Sequence, residues 1–264
     1  MEDIRDIIFK DIENKKFKAL LIPESDGCLS GINDAIKIAN EIGVEIEFYY
    51  NEGSLIKKED SIGMLIATPK RMALAEEKII GTLSKFSGIA TASKKAVNLT
   101  DGKVEIVAGS WKKMPPAIKD GVRTAIVSGG ATFRISNKNM IYLDKNYIKM
   151  LGSISNTLNA VRQFTEHTKV IQIKGKDMSI ADETKLALEY GCNLLMVDTG
   201  KIEDLVVCSN TVKSLGLRNE VEIAFAGGIK LENIKEIIEY DIDKLCIGKE
   251  IVDALLLDIR LDGI

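Results

Sequence analysis

The stretch Val221-Glu222-Ile223-Ala224-Phe225-Ala226-Gly227-Gly228-Ile229-Lys230-Leu231-Glu232-Asn233 carries the pattern that decides the fold. A short apolar run stops at two glycines, and a polar segment with helical spacing follows. The same rhythm fills most of the chain. Strands are predicted over 104–108, 122–127, 140–143, 170–173, 194–197, 221–226 and 244–247, each followed by glycine or a polar residue. Helical periods lie over 147–166, 179–190, 203–215 and 231–240. Ser179, with Asp182 three residues on, has the form of an N-cap box, while Gly191 and Gly216 stand where helix-ending glycines stand. Strands alternating with helices at this spacing predict a parallel sheet with right-handed crossovers. Near-continuous apolar strands are those buried on both faces. Seven of them predict an α/β fold of the incomplete-barrel kind, with a doubly wound open sheet as the second reading.

Upstream the rhythm changes. Helix-like stretches (4–14, 32–42, 71–86) mix with strand-like ones (17–22, 44–50, 61–67), an α+β pattern. The expected division is an N-terminal α+β domain over 1–93 and a barrel domain over 94–249, with the segment 250–264 packing on the first. The 264 residues carry 36 Lys+Arg against 39 Asp+Glu, a net charge of -3 with no basic block. That gives no electrostatic footprint for nucleic acid. No apolar run approaches the ~18 residues of a membrane span, and Met1-Glu2-Asp3 lacks a signal peptide's basic region. Cys28, Cys192, Cys208 and Cys246 form no C-x-x-C pair, so no zinc knuckle or redox motif is present, and a reducing cytoplasm is expected. The one histidine, His167, excludes a His-rich metal centre and reads as a helix end, where a cation is favoured.

Barrel chemistry sits at the C-terminal ends of the strands. Gly227-Gly228 lets main chain approach a ligand and precedes a helix start, where free N–H groups favour an anion. Gly248 ends the next strand and offers a second close approach, so a phosphate is expected there. Asp198 ends its strand, where a carboxylate could take ribose hydroxyls or a divalent cation, or simply cap the next helix. Lys112, Lys113, Lys145 and Lys174 follow strand ends, and converging ammonium groups suit an anionic substrate. Gly129-Gly130, after the predicted strand 122–127, is a weaker signal, since Gly-Gly is also plain turn chemistry.

Taken in order, Ser87-Gly88-Ile89-Ala90-Thr91, Gly129-Gly130, Met196-Val197-Asp198, Ala226-Gly227-Gly228-Ile229 and Ile247-Gly248 resemble the quinolinate phosphoribosyltransferases. These are also called carboxylating nicotinate-nucleotide pyrophosphorylases, and a molybdenum-operon relative shares their fold. The resemblance covers nearly the whole chain. It implies an N-terminal α/β domain plus a seven-stranded incomplete barrel, and a homodimer with sites shared between subunits. The implied reaction moves ribose 5-phosphate from phosphoribosyl pyrophosphate to the ring nitrogen of quinolinate, with Mg²⁺, and then loses CO₂, a step of pyridine nucleotide biosynthesis. On this resemblance Gly227, Gly228 and Gly248 hold the 5-phosphate, and Asp198 holds ribose hydroxyls or Mg²⁺. Lys113 and Lys145 neutralise pyrophosphate; Lys94, Lys112 and Arg134 face the acid group of an aromatic acceptor. Gln172 and Lys174 also lie among the substrate-binding positions.

The chain departs from the family's pattern at the acceptor end. Trp111-Lys112-Lys113-Met114 replaces Thr-Arg-Lys-Thr, so Lys112 stands where an arginine stands; Lys94 likewise replaces the arginine that reaches a partner's site. His-Arg becomes Arg134-Ile135, Lys-Asp-Asn-His becomes Lys145-Asn146-Tyr147-Ile148, and a pair of glutamates becomes Gln172 and Lys174. A lysine is a point charge where arginine grips a carboxylate with two parallel bonds, so the swaps change recognition. Losing two carboxylates weakens the case for a divalent metal. Two other classes stay open: a former transferase that binds a phosphoribosyl compound without turnover, and a Schiff-base aldolase with Lys174 as nucleophile.

Overall fold

The computed structural model describes residues 3–264. In chain order it begins with α1 (Ile4–Ile8), β1 (Phe17–Pro23), β2 (Gly27–Cys28), α2 (Ile32–Ile42), β3 (Glu45–Phe48), β4 (Leu55–Ile56), β5 (Gly63–Ala67), α3 (Pro69–Ala75) and α4 (Gly81–Leu99). The alternating part runs β6 (Glu105–Val107), α5 (Lys119–Ser128), β7 (Met140–Leu143), α6 (Lys145–Leu151), α7 (Ile154–Ala160), β8 (Thr168–Ile173), α8 (Ile180–Glu189) and β9 (Leu194–Asp198). It closes with α9 (Ile202–Ser214), β10 (Glu222–Ala226), α10 (Ile234–Ile237), β11 (Lys244–Cys246), α11 (Lys249–Val252) and β12 (Ile259–Gly263). These elements form two compact units. One takes in the chain up to Lys95 together with Trp111–Ala131 and Ile251–Ile264; the other is Ala96–Ser110 with Thr132–Glu250. Trp111–Ala131 therefore counts with the first unit, although the sequence puts it inside the barrel domain.

The first unit is built on a four-stranded sheet in the order β12-β1-β5-β3. β12 runs antiparallel to β1, from Ala19 opposite Gly263 to Pro23 opposite Ile259. Along β1 and β5 every second residue is buried, the pattern of a sheet with one covered face. α2 buries Ile32, Ala35 and Ala39, spaced at one helical face, and ends at Gly43 with φ 69°. The Glu52 carboxylate accepts from the Gly31 and Ile32 N–H groups, 3.0 Å each, capping a helix whose own N-cap residue has no side chain.

Ser87-Gly88-Ile89-Ala90-Thr91 lies inside α4 and ties this unit together. Ser87 Oγ accepts from Ser30 N–H at 3.0 Å, and Thr91 Oγ1 accepts from Cys28 N–H at 2.9 Å. A Cβ on Gly88 would sit 2.1 Å from the Leu255 carbonyl oxygen, so only glycine admits the C-terminal segment against this helix.

The second unit is a six-stranded sheet in the order β6-β11-β10-β9-β8-β7, every pair parallel. Val107 of edge strand β6 and Met140 and Tyr142 of edge strand β7 belong to one apolar cluster with Val170, Leu194, Met196 and Ala224. One cluster reached from both edges means the sheet curls around its inner face: an α/β barrel that is open between β6 and β7. Ile171, Leu195, Val197, Ile223, Phe225 and Leu245, on the alternate positions, are buried as well. Both faces are covered, which is why these strands read as unbroken apolar runs.

The predicted strand 122–127 is a helix, α5. Gly121, Val122, Ala125 and Ile126 are buried, a 3.6-residue rhythm that β-branched composition masked. The seventh strand position shrinks to a single parallel bridge between Thr132 and Val107. Gly129-Gly130 consequently ends no strand. A Cβ on Gly129 would lie 2.3 Å from the Ala90 carbonyl oxygen, so the pair lets α5 pack closely on α4. The predicted helix 147–166 breaks at Gly152 (φ 89°), where Ser153 caps α7 by accepting from Asn156 N–H. His167 therefore stands beyond α7 in a turn, not in a last helical turn. Its ring meets Phe164 edge-on at 5.7 Å.

Candidate active site

In the second unit, the C-terminal ends of β7, β8 and β9 present Lys145, Gln172, Lys174 and Asp198. Gln172 and Lys174 are two residues apart and share the inward side of the strand line, as alternation requires. Gln172 spans its neighbours. Its Oε1 accepts from Lys145 N–H at 2.7 Å, and its Nε2 donates to Asp198 Oδ2 at 2.5 Å. Lys174 Nζ lies 3.0 Å from the same Oδ2 and donates to the Asp198 carbonyl oxygen at 2.6 Å. The Lys174 and Gly175 N–H groups both donate to Glu183, which α8 holds buried at the mouth of the loop. Asp198 therefore has a fixed position, partly shielded from water, with its charge matched by an ammonium.

Two inward residues that sequence reasoning missed sit beneath this cluster. Burial pushes the Cys246 thiol up to about 12, with the charge of Asp198 adding to the effect. Burial likewise raises the Tyr142 phenol, and Cys246, Asp198 and Asp144 contribute. Both groups stay neutral at pH 7 and give the charged cluster a low-dielectric floor. The signal for them was positional: Cys246 is two residues before Gly248 and Tyr142 two before Asp144, hence on the inward side.

The glycines at the ends of β10 and β11 serve different ends. Gly227 (φ 118°) packs on the Thr199–Gly200 backbone, where a Cβ would approach Gly200 N to 2.3 Å. Gly228 (φ 72°) is exposed, with nothing within 4 Å of a built Cβ. Gly248 is half-buried, and a Cβ there would meet Ser110 Oγ at 2.2 Å. The segments that follow are short, a 3₁₀ turn (Leu231–Asn233) with α10 after Gly228, and α11 after Gly248. The expected anion site at a helix N-terminus thus reduces to glycine main chain, because so few aligned peptides sum to little dipole.

Arg134 is exposed on the loop after the Thr132 bridge, and Lys145 is exposed at the start of α6. The remaining candidates belong to the first unit. Lys94 is half-buried in α4, while Lys112 and Lys113 are exposed in a 3₁₀ turn (Gly109–Lys113). Beside them Arg123 stacks over the Trp111 ring at 5.0 Å.

The donor set at the strand ends does not fit a divalent cation. Among the described residues no group of three His, Cys, Asp or Glu side chains converges. Asp198 already takes an ammonium and an amide N–H on one oxygen, and the Gln172 carbonyl oxygen is committed to main chain. A hard cation needs several free oxygens in one place.

The residues 5–87 match the family described as quinolinate phosphoribosyl transferase, N-terminal domain, and residues 89–262 match its C-terminal domain. The chain belongs to the quinolinate phosphoribosyl transferase family. Among curated relatives, a probable carboxylating nicotinate-nucleotide pyrophosphorylase of Archaeoglobus fulgidus is 26% identical over 98% of this chain and 97% of its own length. The human nicotinate-nucleotide pyrophosphorylase is 25% identical over 92% of this chain and 81% of its own. In fold, the enzyme of that name from Francisella tularensis superposes with a TM-score of 0.81 at 19% identity, covering 99% of this chain and 94% of that one. The Pyrococcus furiosus structure gives 0.82 at 20% identity over 98% of this chain and 73% of that one. No helix of the described residues is long and apolar enough to cross a membrane.

Proposed function

We propose that this member of the family is a phosphoribosyltransferase that moves ribose 5-phosphate from phosphoribosyl pyrophosphate to the ring nitrogen of a quinolinate-type aromatic acid, releasing pyrophosphate. The observation that carries the reading is Asp198, held at the end of β9 by Gln172 and Lys174, beside β10, whose end leads into the exposed Gly228. A fixed carboxylate suits the two hydroxyls of a ribose, and exposed glycine amides suit its 5-phosphate.

As the bond from the anomeric carbon to pyrophosphate stretches, positive charge grows on the sugar and negative charge on the leaving group. Asp198 stabilises the first through the ribose hydroxyls it orients. Lys145 and Lys174 stabilise the second. No covalent nucleophile is required; the protein supplies position and field. Arg134 meets the acceptor's acid group. Lys94, Lys112, Lys113 and Gly248 take the roles the family pattern gives them, on sequence correspondence alone. Among the described residues no three carboxylate, histidine or cysteine side chains form a metal cage, and the leaving group's charge is met by lysines. A homodimer is proposed from the family resemblance, and a cytoplasmic location from the scattered, unpaired cysteines.

Release of pyrophosphate from phosphoribosyl pyrophosphate in the presence of quinolinate, with the nucleotide product identified by mass, tests the reading. Donor binding with no turnover on any pyridine carboxylate would instead establish the second reading, a non-catalytic phosphoribosyl-binding protein, which the pairing of Asp198 with Lys174 favours. The aldolase reading has less support, since an ammonium held on two oxygens of Asp198 is not the free amine a Schiff base needs.

A further inference from the structure

We propose that Lys174 is the fixed cation of this site, so that a diphosphate-bearing donor is bound there without a divalent metal ion; the inference rests on the transferase reading above. Asp198 Oδ2 receives the Lys174 ammonium at 3.0 Å and the Gln172 amide at 2.5 Å. Both are donors with no lone pair to offer a metal. The one oxygen of Gln172 is turned away and accepts from Lys145 N–H at 2.7 Å. A divalent ion approaching Asp198 would meet a carboxylate already neutralised and an ammonium of its own sign.

The ammonium is also built in rather than adventitious. The backbone that carries it is clamped, because the N–H groups of Lys174 and Gly175 both donate to buried Glu183, at 2.7 and 2.9 Å. Gly175 adopts φ 60°, a left-handed turn that glycine permits at no steric cost, and redirects the chain immediately after the lysine. The two contacts to Asp198 use two of the three N–H donors of Lys174, leaving the third for a ligand. The carboxylates nearby are Asp198, which Lys174 pairs, Glu183, turned to the N–H groups of Lys174 and Gly175, and Asp144, which caps α6. Each is committed to a donor, which leaves the third Lys174 N–H and the Lys145 ammonium to meet an anion.

Titration calorimetry on the full chain tests this, with phosphoribosyl pyrophosphate and with inorganic pyrophosphate as probes, once in excess EDTA and once in Mg²⁺. The two dissociation constants are expected to agree within about threefold. Lys174→Ala is expected to weaken binding in EDTA by about tenfold or more, and Lys174→Arg to recover most of it, since charge is what the site needs. The double variant Gln172→Glu/Lys174→Glu, which supplies two carboxylates beside Asp198, is expected to bind only with Mg²⁺. Wild-type binding that appears only with Mg²⁺ overturns the inference and leaves the transferase reading standing. Absence of binding under both conditions removes the transferase reading and this inference with it. Circular dichroism of each variant separates loss of the ammonium from loss of the fold; the wild-type comparison needs no variant.

Discussion

Lys174 Nζ lies 3.0 Å from Asp198 Oδ2 and donates to the carbonyl oxygen of the same residue at 2.6 Å, so a lysine at the end of β8 grips both the side chain and the main chain at the end of β9. The contact joins two parallel strands at the place where barrel chemistry is carried out. It makes Asp198 an oriented acceptor instead of a solvated acid.

Asp198→Asn is expected to lower kcat/KM for pyrophosphate release by on the order of 10²-fold, the usual loss when one preorganised charged group is removed. Thermal unfolding should change little, because a half-exposed ion pair contributes under about 1 kcal/mol. Steady-state kinetics beside a melting curve checks both statements, and a large loss of stability with intact kinetics would contradict them.

Gly227 and Gly228 are expected to respond differently to alanine. Gly228→Ala costs roughly 1–2 kcal/mol for a left-handed L-residue and puts a methyl group into the open space where phosphate is proposed. Its stability loss should be moderate and its loss of donor affinity large. Gly227→Ala drives a Cβ into the Gly200 backbone, so that variant should lose clearly more stability than the first. Denaturant titration and donor binding, measured on both, separate the two effects.

At the opposite end of the barrel, Arg218 joins Asp241 and Asp243, at 2.8 and 3.0 Å, and Lys213 also reaches Asp241. Hydrogen bonding by Arg218 first, then by Lys213 and Ser209, holds the Asp241 carboxyl well below the ordinary carboxylate range. A depressed folded-state pKa contributes stability above the unfolded value of about 3.9 and loses it as pH falls toward the folded value. Wild-type stability should therefore decline below about pH 5, and Asp241→Asn should flatten that slope while lowering stability near pH 7. Urea midpoints taken from pH 7 to pH 3 check the sign; an unchanged slope in the variant would refute it.

Lys244 is buried at the base of β11, paired with Glu105 on one side and with Glu222 at 3.4 Å on the other. Removing only the lysine leaves Glu105 and Glu222, both partly exposed to water, as neighbouring carboxylates without their cation. Lys244→Ala is expected to cost about 1–2 kcal/mol, between what an exposed pair and a buried hydrogen-bonded charge contribute. Replacing Lys244 and Glu105 together by methionine and leucine should recover much of that loss, a comparison read from urea midpoints.

Much of the architecture was legible in the chain. A strand such as Leu194–Asp198 announced itself because both faces are buried and every residue had to be apolar until the strand end. Ser179 and Gly191 marked the ends of α8 through caps that act locally. The segment 122–127 misled, since Val122, Ile126 and Val127 suit a strand or a helix equally, and only its packing, with Gly121 against the Phe86 ring, settles the matter. Asp198 and Lys174 could be singled out by position, but not their contact, which spans 24 residues of sequence and exists only because β8 and β9 are neighbours. Gly228 and Gly248 looked alike in sequence, yet one is exposed and the other is half-buried with its Cα against the Ser110 side chain.

The order of elements, the buried strands and the family were fixed by local pattern, because hydrophobic period, capping residues and glycine turns act over a few neighbouring positions. Which carboxylate is neutralised, which glycine is open and which apolar run coils into a helix were decided by the tertiary structure. Those properties depend on distances between residues far apart in the chain, and no local pattern encodes such distances.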